Sequence, residues 1–447
     1  MTPGGLLLVL LAEASPFSFG SYGRVGLSSD LEGGRGRVAH IVTYGPRLAE
    51  APYLELDFGS RLFRQSEPEA TRVDAVVTLA FGDALFHYDG KFEVRSAIRQ
   101  AYVEAREVFV PGDFVWVGSR MYRGDDLYLF DLWPLDDLNT VGAAVGVRGS
   151  ALDVTLHLGL TRLDSVNQVQ RVAVPSTGFG ATEVEVLDRQ RAVASLQGEY
   201  RLGLSGATGL KLKVHTEAHH LPSGRRRLEG GYSQSTPLPD DRGFVVGAQV
   251  GASNFSRNGH AHLFVRAATG LAAYDPSSLA SGTDGDRRVS DASEYRIAFS
   301  GNAEGGLMAL TANAYVRAFF DADGEALDFD DRVESAVCVR PTFFVGRYFT
   351  PMVELSVQAM RPNGLNPRTL TQDTATVTQL ALIPALTFGE APIGAFTRPQ
   401  LRVTYAVSRL DDAALALYAA EDPRSHTPIV HFLGASAEWS FGREGGK

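Results

Sequence analysis

The stretch Gly209-Leu210-Lys211-Leu212-Lys213-Val214-His215-Thr216-Glu217-Ala218 decides the fold. Side chains alternate faces along a β-strand, so Leu210, Leu212 and Val214 share one face while Lys211, Lys213, His215 and Glu217 share the other. One face must meet something apolar, the other something wet.

The same period of two recurs in Tyr53-Leu54-Glu55-Leu56-Asp57-Phe58, in Val353-Glu354-Leu355-Ser356-Val357-Gln358 and in Pro399-Gln400-Leu401-Arg402-Val403-Thr404-Tyr405. Between such segments lie turn-forming and polar stretches of uneven length: 28–37, 222–243, 275–293, 321–332 and 362–376. Short turns alternating with long loops fit a barrel that is elaborated at one end. The best candidate for an amphipathic helix, Leu410 to Ala420, falls in a loop, so the chain reads as all-β.

A soluble β-sandwich also alternates, and parity alone does not separate it from a membrane barrel. Two features favour the barrel. Aromatic residues gather at strand ends, as in Tyr102, Trp116, Tyr348, Phe349, Trp439 and Phe441, which is what membrane-interface girdles require. Strands also continue to the C-terminus without a linker, and closing them into a ring removes the unpaired edges that so many amphipathic strands would otherwise expose. We read residues 15–447 as one barrel domain.

Composition narrows the function. With 447 residues and a formal net charge of −10, the chain lacks the basic surface that phosphate backbones need, and Arg225-Arg226-Arg227 lies in a loop. Nucleic acid is therefore excluded as a partner. A single cysteine, Cys338, forms no internal disulfide, and no His/Cys cluster has metal-ligand spacing, so neither a metal site nor a cofactor is assigned. The apolar run Leu6 to Leu11 is followed by Ala12-Glu13-Ala14, a small-x-small signal, although no Lys or Arg precedes it. The run is too short for a membrane-spanning helix, which needs about 20 apolar residues. Residues 1–14 are read as a signal peptide. His87, His215, His219, His220, His260 and His262 sit in no nucleophile motif, and His219-His220 reads as a solvated loop, so an enzyme is the weakest reading.

Several segments together resemble the maltoporin family of sugar-specific outer-membrane porins. They are Gly20-Ser21-Tyr22-Gly23-Arg24-Val25-Gly26; Arg47-Leu48 with Tyr53-Leu54-Glu55-Leu56; and Arg99-Gln100-Ala101-Tyr102-Val103. Next comes Gly118-Ser119-Arg120-Met121-Tyr122, running into Asp125, Asp126 and Asp131. Toward the C-terminus follow Val339-Arg340-Pro341, Phe349-Thr350-Pro351, Thr397-Arg398-Pro399-Gln400-Leu401-Arg402 and Gly434-Ala435-Ser436-Ala437-Glu438-Trp439-Ser440-Phe441. The resemblance implies a transmembrane antiparallel β-barrel of about 18 strands with an inward-folded constriction loop. It also implies assembly as a homotrimer among outer-membrane lipids, and passive passage of sugars or maltodextrin-like oligosaccharides.

By the same resemblance, Tyr22, Tyr53 and Phe349 are sugar-stacking residues and Trp133 takes the place of the constriction aromatic. Arg24, Arg47, Glu55 and Arg99 form a polar track facing Asp126 and Asp131. Such a lumen is physically apt. A sugar in a narrow pore loses hydrogen bonds to water, arginine supplies replacement donors and carboxylates supply acceptors, and the binding must stay weak and repeated for the solute to leave. The loop Arg120 to Leu138 carries five aspartates among Tyr128, Phe130 and Trp133, rings that a freely solvated loop has no use for. Closely spaced carboxylates also suit Ca²⁺, which the sequence leaves open.

Parity sharpens three positions. It places Tyr53 and Glu55 inside, opposite Leu54 and Leu56. It puts Arg99 on the face of Ala101 and Val103, toward lipid, unless Arg99 precedes the regular strand. Phe349 shares the face of Val353 and Leu355 unless Pro351 marks a bulge, which makes Tyr348 the lumen residue by parity. The chain also departs from the family. Gly124 stands where an arginine precedes the loop's first aspartate, with Arg123 one residue earlier. Ser440 replaces a stacking tryptophan, Phe92 is the nearest substitute for a ring donated by a neighbouring subunit, and Gly442 to Lys447 extend past the terminal aromatic. A non-selective diffusion porin is the alternative.

Overall fold

The computed structural model describes residues 16–65, 71–82, 90, 93–204, 208–227, 235–275, 278–325, 327–328 and 330–442. The signal-peptide reading of 1–14, His87, Phe92 and the extension 443–447 lie outside these residues.

Eighteen antiparallel strands form a closed ring. The first six are β1 (Phe17–Ser29), β2 (Tyr53–Arg64), β3 (Arg72–Gly82), β4 (Arg95–Arg106), β5 (Asp113–Arg123) and β6 (Asp137–Arg148). Each later strand pairs with its predecessor, and the last, Ile429–Phe441, pairs back onto β1 with Gly23 opposite Trp439. That closure fixes one residue type: the indole of Trp439 lies where a Cβ on Gly23 would stand, and its ring N–H donates to Ser21 at 3.2 Å. Two hairpins, Val169–Pro175 with Ala181–Asp188 and Gly224–Arg227 with Ser235–Leu238, stand outside the ring on long loops. Arg225-Arg226-Arg227 is thus strand rather than loop.

The strand Gly209–Leu221 shows which face is which. Leu212 and Val214 are each 54% exposed, while Lys213, His215 and Glu217 are buried. Apolar side chains point out and charged ones point in, the reverse of a soluble sandwich and the pattern a bilayer selects. His219, expected in a loop, belongs to this inner face: its imidazole donates to Glu217 at 2.6 Å and accepts from Arg191. Of the strand-end aromatics, Tyr348, Phe349 and Phe441 are exposed and Trp439 alternates with the buried Glu438, the outward placement that a girdle requires. Tyr102 and Trp116 are corrections to it, because both point inward, Trp116 stacking on His157 with centroids 5.5 Å apart. Proximity to a strand end is the misleading cue.

The interior is not uniformly polar. Phe264, Ala298, Tyr315, Ala336, Cys338, Met360, Ala375 and Val377 point inward from the later strands and carry an apolar seat. Ala39, Ile41 and Val42 of the first long loop and Leu127, Leu129, Phe130, Leu132 and Leu135 of the loop after β5 pack on it. Buried aliphatic and aromatic side chains contribute roughly 1.5–3 kcal/mol each, so these loops are held inside rather than solvated. Polar contacts fix their register: Leu129 N–H donates to Asn313 at 2.8 Å, Ile41 N–H to Gln358 at 3.1 Å and Arg47 N–H to Leu129 O at 2.9 Å.

Placing a charge on the outer face tests the orientation. Val214→Arg is expected to lower the free energy of folding into phospholipid vesicles by about 2–4 kcal/mol, read from urea titration. An unchanged midpoint would place this face away from hydrocarbon.

Candidate functional site

The residues of the expected track converge where β1, β2, β4 and the last strand face the two infolded loops. Register sets Tyr22 opposite Glu55, and Arg24 opposite Tyr53 on one side and Glu438 on the other. The rings of Tyr22 and Tyr53 lie 6.2 Å apart. Tyr22 accepts hydrogen bonds from Arg47 at 2.9 Å and Arg24 at 3.3 Å and donates to Glu438 at 3.2 Å. Tyr53 donates to Glu55 at 2.5 Å and accepts from Arg99, which also pairs with Glu55 at 2.9 Å. The guanidiniums of Arg24 and Arg99 stand 5.4 and 5.5 Å from the Tyr53 ring.

Arg99 reaches this cluster through a β-bulge. Thr78 pairs with Gln100 and Leu79 with Ile98, which leaves Arg99 as the extra residue between them and turns it inward. It lies within the strand yet escapes the parity that assigned it to lipid. Arg47 lies in the irregular segment before β2, not in a strand; it pairs with Glu50 and Asp131, the latter at 3.8 Å, and stands 5.2 Å over the ring of Tyr128.

Tyr128, at the tip of the loop after β5, joins the two halves of the site. Arg398 donates to its hydroxyl and pairs with Glu438 at 2.9 Å, where Arg402 also reaches at 3.2 Å. The ring of Phe396 meets Tyr128 edge-on at 5.1 Å and lies 6.5 Å from His260. Phe396 comes from the other end of the barrel, on the connection 388–399 that turns back into the lumen. That connection is tied to the strands Arg257–Gly270 and Ser293–Glu304 by Ala395 N–H to Glu304 at 2.9 Å and Arg257 to Ile393 O at 3.0 Å. The sequence reading assigned no role to Tyr128, Phe396, Glu50, Arg398 or Glu438, since their meeting depends on how segments fold inward, which strand periodicity does not encode.

Other expected residues lie elsewhere. Trp133 stacks on Arg123 at 3.9 Å, and Arg123 pairs with Asp137 at 2.5 Å, at the end of β5. Phe349 is on the outer wall, lining a groove with Val25, Leu27, Leu401 and Val403, and Tyr348 lies 5.4 Å from the ring of Phe388 in the girdle. Phe349 corrects the resemblance, which placed it in the lumen, and agrees with its parity; Tyr348 corrects parity, because residues 344–351 form a turn, with Val345 bridged to Phe349, and alternation does not extend through it. Gly124 is fixed by its surroundings, because a Cβ there would collide with the Lys213–Asp136 pair.

That pair pins the loop to the wall at 2.7 Å, each side chain 3% exposed. Asp125 is pinned likewise by Lys211 and by Gln249 at 2.6 Å, which hold its carboxyl well below the usual range despite burial. Asp126 differs: burial, reinforced by Asp131 and Asp125 and opposed by Arg47, pushes its pKa up to about 6.

Two outcomes follow. Lys213→Met leaves Asp136 a buried charge without its ion, which costs about 3–5 kcal/mol; proteolysis within 124–136 and single-channel conductance should both rise. For Asp126, the folded protein holds the proton more tightly than the unfolded chain, where the ordinary value is 3.8. Its burial therefore opposes folding at neutral pH, and that cost is relieved as pH falls through about 6 toward 4. Cation selectivity should drop across pH 6, and Asp126→Asn should flatten the step.

A closed barrel with apolar outer faces and a loop folded into a charged lumen is an outer-membrane porin. The LamB porin family model matches residues 17–443, and the chain belongs to that family. It is an outer-membrane β-barrel protein, and family and fold point to a channel rather than an enzyme. Similar solved structures include Pseudomonas aeruginosa OccD3 (OpdP), 12% identical with a TM-score of 0.46, covering 96% of this chain and 92% of that one. Acinetobacter baumannii OccAB2 is 13% identical at 0.46, covering 95% and 98%; P. aeruginosa OprD is 10% identical at 0.43, covering 95% and 93%. No curated protein matches the sequence.

Proposed function

We propose that this porin carries sugars or oligosaccharides by facilitated diffusion, with Tyr53, Tyr22, Tyr128 and Phe396 as successive ring platforms. The observation that carries the reading is their linkage: Arg47 bonds Tyr22 and covers Tyr128, while Glu438 takes Tyr22 on one side and the Tyr128-bound Arg398 on the other. Rings match the apolar faces of pyranoses, and the guanidinium and carboxylate groups between them replace the water a sugar sheds. Arg24, Arg47, Glu55 and Arg99, with Asp126 and Asp131, serve as the polar track. Trp133 and Arg123 guide entry at the mouth. Assembly as a trimer and removal of residues 1–14 on export belong to the same reading.

A non-selective diffusion porin is the second reading. It is favoured by the crowding of Tyr53 between two guanidiniums, which leaves less ring face for a sugar. In planar bilayers, malto-oligosaccharides should block the current, and Tyr53→Ala with Phe396→Ala should weaken that block by about ten-fold or more, a loss of about 1.4 kcal/mol. Liposome swelling graded only by solute size, with no block by any sugar, would establish the second reading.

A further inference from the structure

Below the constriction, at the short-turn end, the inner wall of β2–β6 is strongly basic. Register lays out two rungs: Arg61, Asp74, Glu104 and Trp116 on one, and Arg72, Arg106 and Phe114 on the next. Arg120 leans onto the first rung, bonding Glu104 at 2.5 Å and covering Tyr102 at 4.5 Å. Arg148 closes the second, stacked on Phe114 at 4.1 Å. Five guanidiniums thus face Asp74 and Glu104, while Asp153, opposite Arg148 in register, is taken by Arg201. Arg61 and Arg72 share Asp74 at 3.7 and 3.5 Å, Arg106 and Arg120 share Glu104, and Arg148 has no carboxylate in contact among the described residues.

The neighbouring acids are already committed. Asp113 accepts from the N–H groups of Val108, Phe109 and Val110, and Glu107 from Gly112, all within the turn. Asp57, four residues along β2 from Arg61 and nearer the constriction, accepts from Thr78 at 2.5 Å. All five arginines are half-buried and so reachable from the lumen. Arg72 and Arg106 stand directly opposite each other. Like charges in that position destabilise a sheet, and in a chain of net charge −10 the surplus is local. An oxyanion placed between them relieves the repulsion with charge-assisted, bidentate bonds.

We propose that this wall is an exit subsite for sugars bearing an oxyanion, carboxylate or phosphate, with Arg72, Arg106 and Arg148 as its donors. It lies seven residues along β4 from Arg99, roughly 20 Å at strand rise, so it is separate from the constriction. Solute that has passed the rings meets fixed positive charge, which holds acidic sugars and does nothing for neutral ones. The inference rests on the sugar-channel reading.

The test uses the full chain in planar bilayers, with oligogalacturonate, glucose 6-phosphate and malto-oligosaccharide added to the short-turn side. The wild type should be blocked by at least one acidic sugar at about ten-fold lower concentration than by neutral sugar of equal length, and the preferred acid identifies the oxyanion. Arg106→Gln with Arg148→Gln should erase that preference, lower the anion-to-cation permeability ratio and leave neutral block unchanged. Equal block by acidic and neutral sugars, or a preference and ion selectivity that survive the double variant, overturns the inference alone. No block by any sugar removes it together with the sugar reading.

Discussion

A backbone N–H or C=O left unpaired in hydrocarbon costs several kcal/mol, and that constraint governs the rest of the molecule. A sheet meets it by leaving no edge, so β1 must pair with the last strand and every strand between must hold its register. Register in turn assigns every side chain a face, since a slip of one residue would put Lys213 into lipid and Val214 into the lumen. The inward charge of this chain is therefore a consequence of closure, and the ring that keeps the backbone satisfied also gathers arginines and carboxylates along one wall.

Closure alone would leave a wide polar hole. The hole is filled because one sector of the inner wall breaks the polar rule: Phe264, Tyr315, Met360 and Val377 offer an apolar seat where a uniform channel would carry charges. The two infolded loops cover it; the Lys213–Asp136 and Lys211–Asp125 pairs fix the position of the loop after β5, and the N–H groups of Ile41 and Thr43, bonded to Gln358 and Glu334, fix the first. A buried ion pair contributes little net stability but strongly penalises states that separate it. The apolar seat supplies the attraction and the ion pairs supply the register, so the remaining path runs between the loops and the first strands.

This division explains what could be read from the chain. Strand existence, the outward face of Leu212 and Val214, and the inward face of Tyr53 and Glu55 follow from a period of two that the bilayer enforces everywhere. Arg99 did not follow, since a single extra residue in β4 reverses its parity and nothing local announces a bulge. Tyr348 failed for a related reason: a turn interrupts the strand, so alternation carried through it put Tyr348 in the lumen, whereas Phe349 faces outward as parity had it and only the family resemblance placed it inside. Trp116 misled because a strand-end aromatic serves equally for a girdle and for an inner cluster. Tyr128 and Phe396 were out of reach, because they arrive on segments that enter from opposite ends, 268 positions apart in the chain.

The meeting of those two segments also bears on how the constriction keeps its shape. Rings at a pore's narrowest point must be rigid enough to define a path and accessible enough to touch a solute. Tyr128 is fixed by contacts from three directions: its own loop packs on the apolar seat, Arg398 holds its hydroxyl, and Phe396 buttresses its edge. Phe396 is in turn positioned by Glu304, which accepts from Ala395 N–H and Asn258 and pairs with Arg257 at 3.3 Å. Each ring is thus tied back to a barrel strand through a carboxylate: Glu304 ends the strand Ser293–Glu304, and Arg398, on the same connection as Phe396, is paired with Glu438 of the last strand. A loop-borne site supported in this way gains the precision of the strands without being part of them. The placement of Tyr128 and Phe396 is accordingly set by the barrel wall, through arginine and glutamate, even though the rings themselves come from loops.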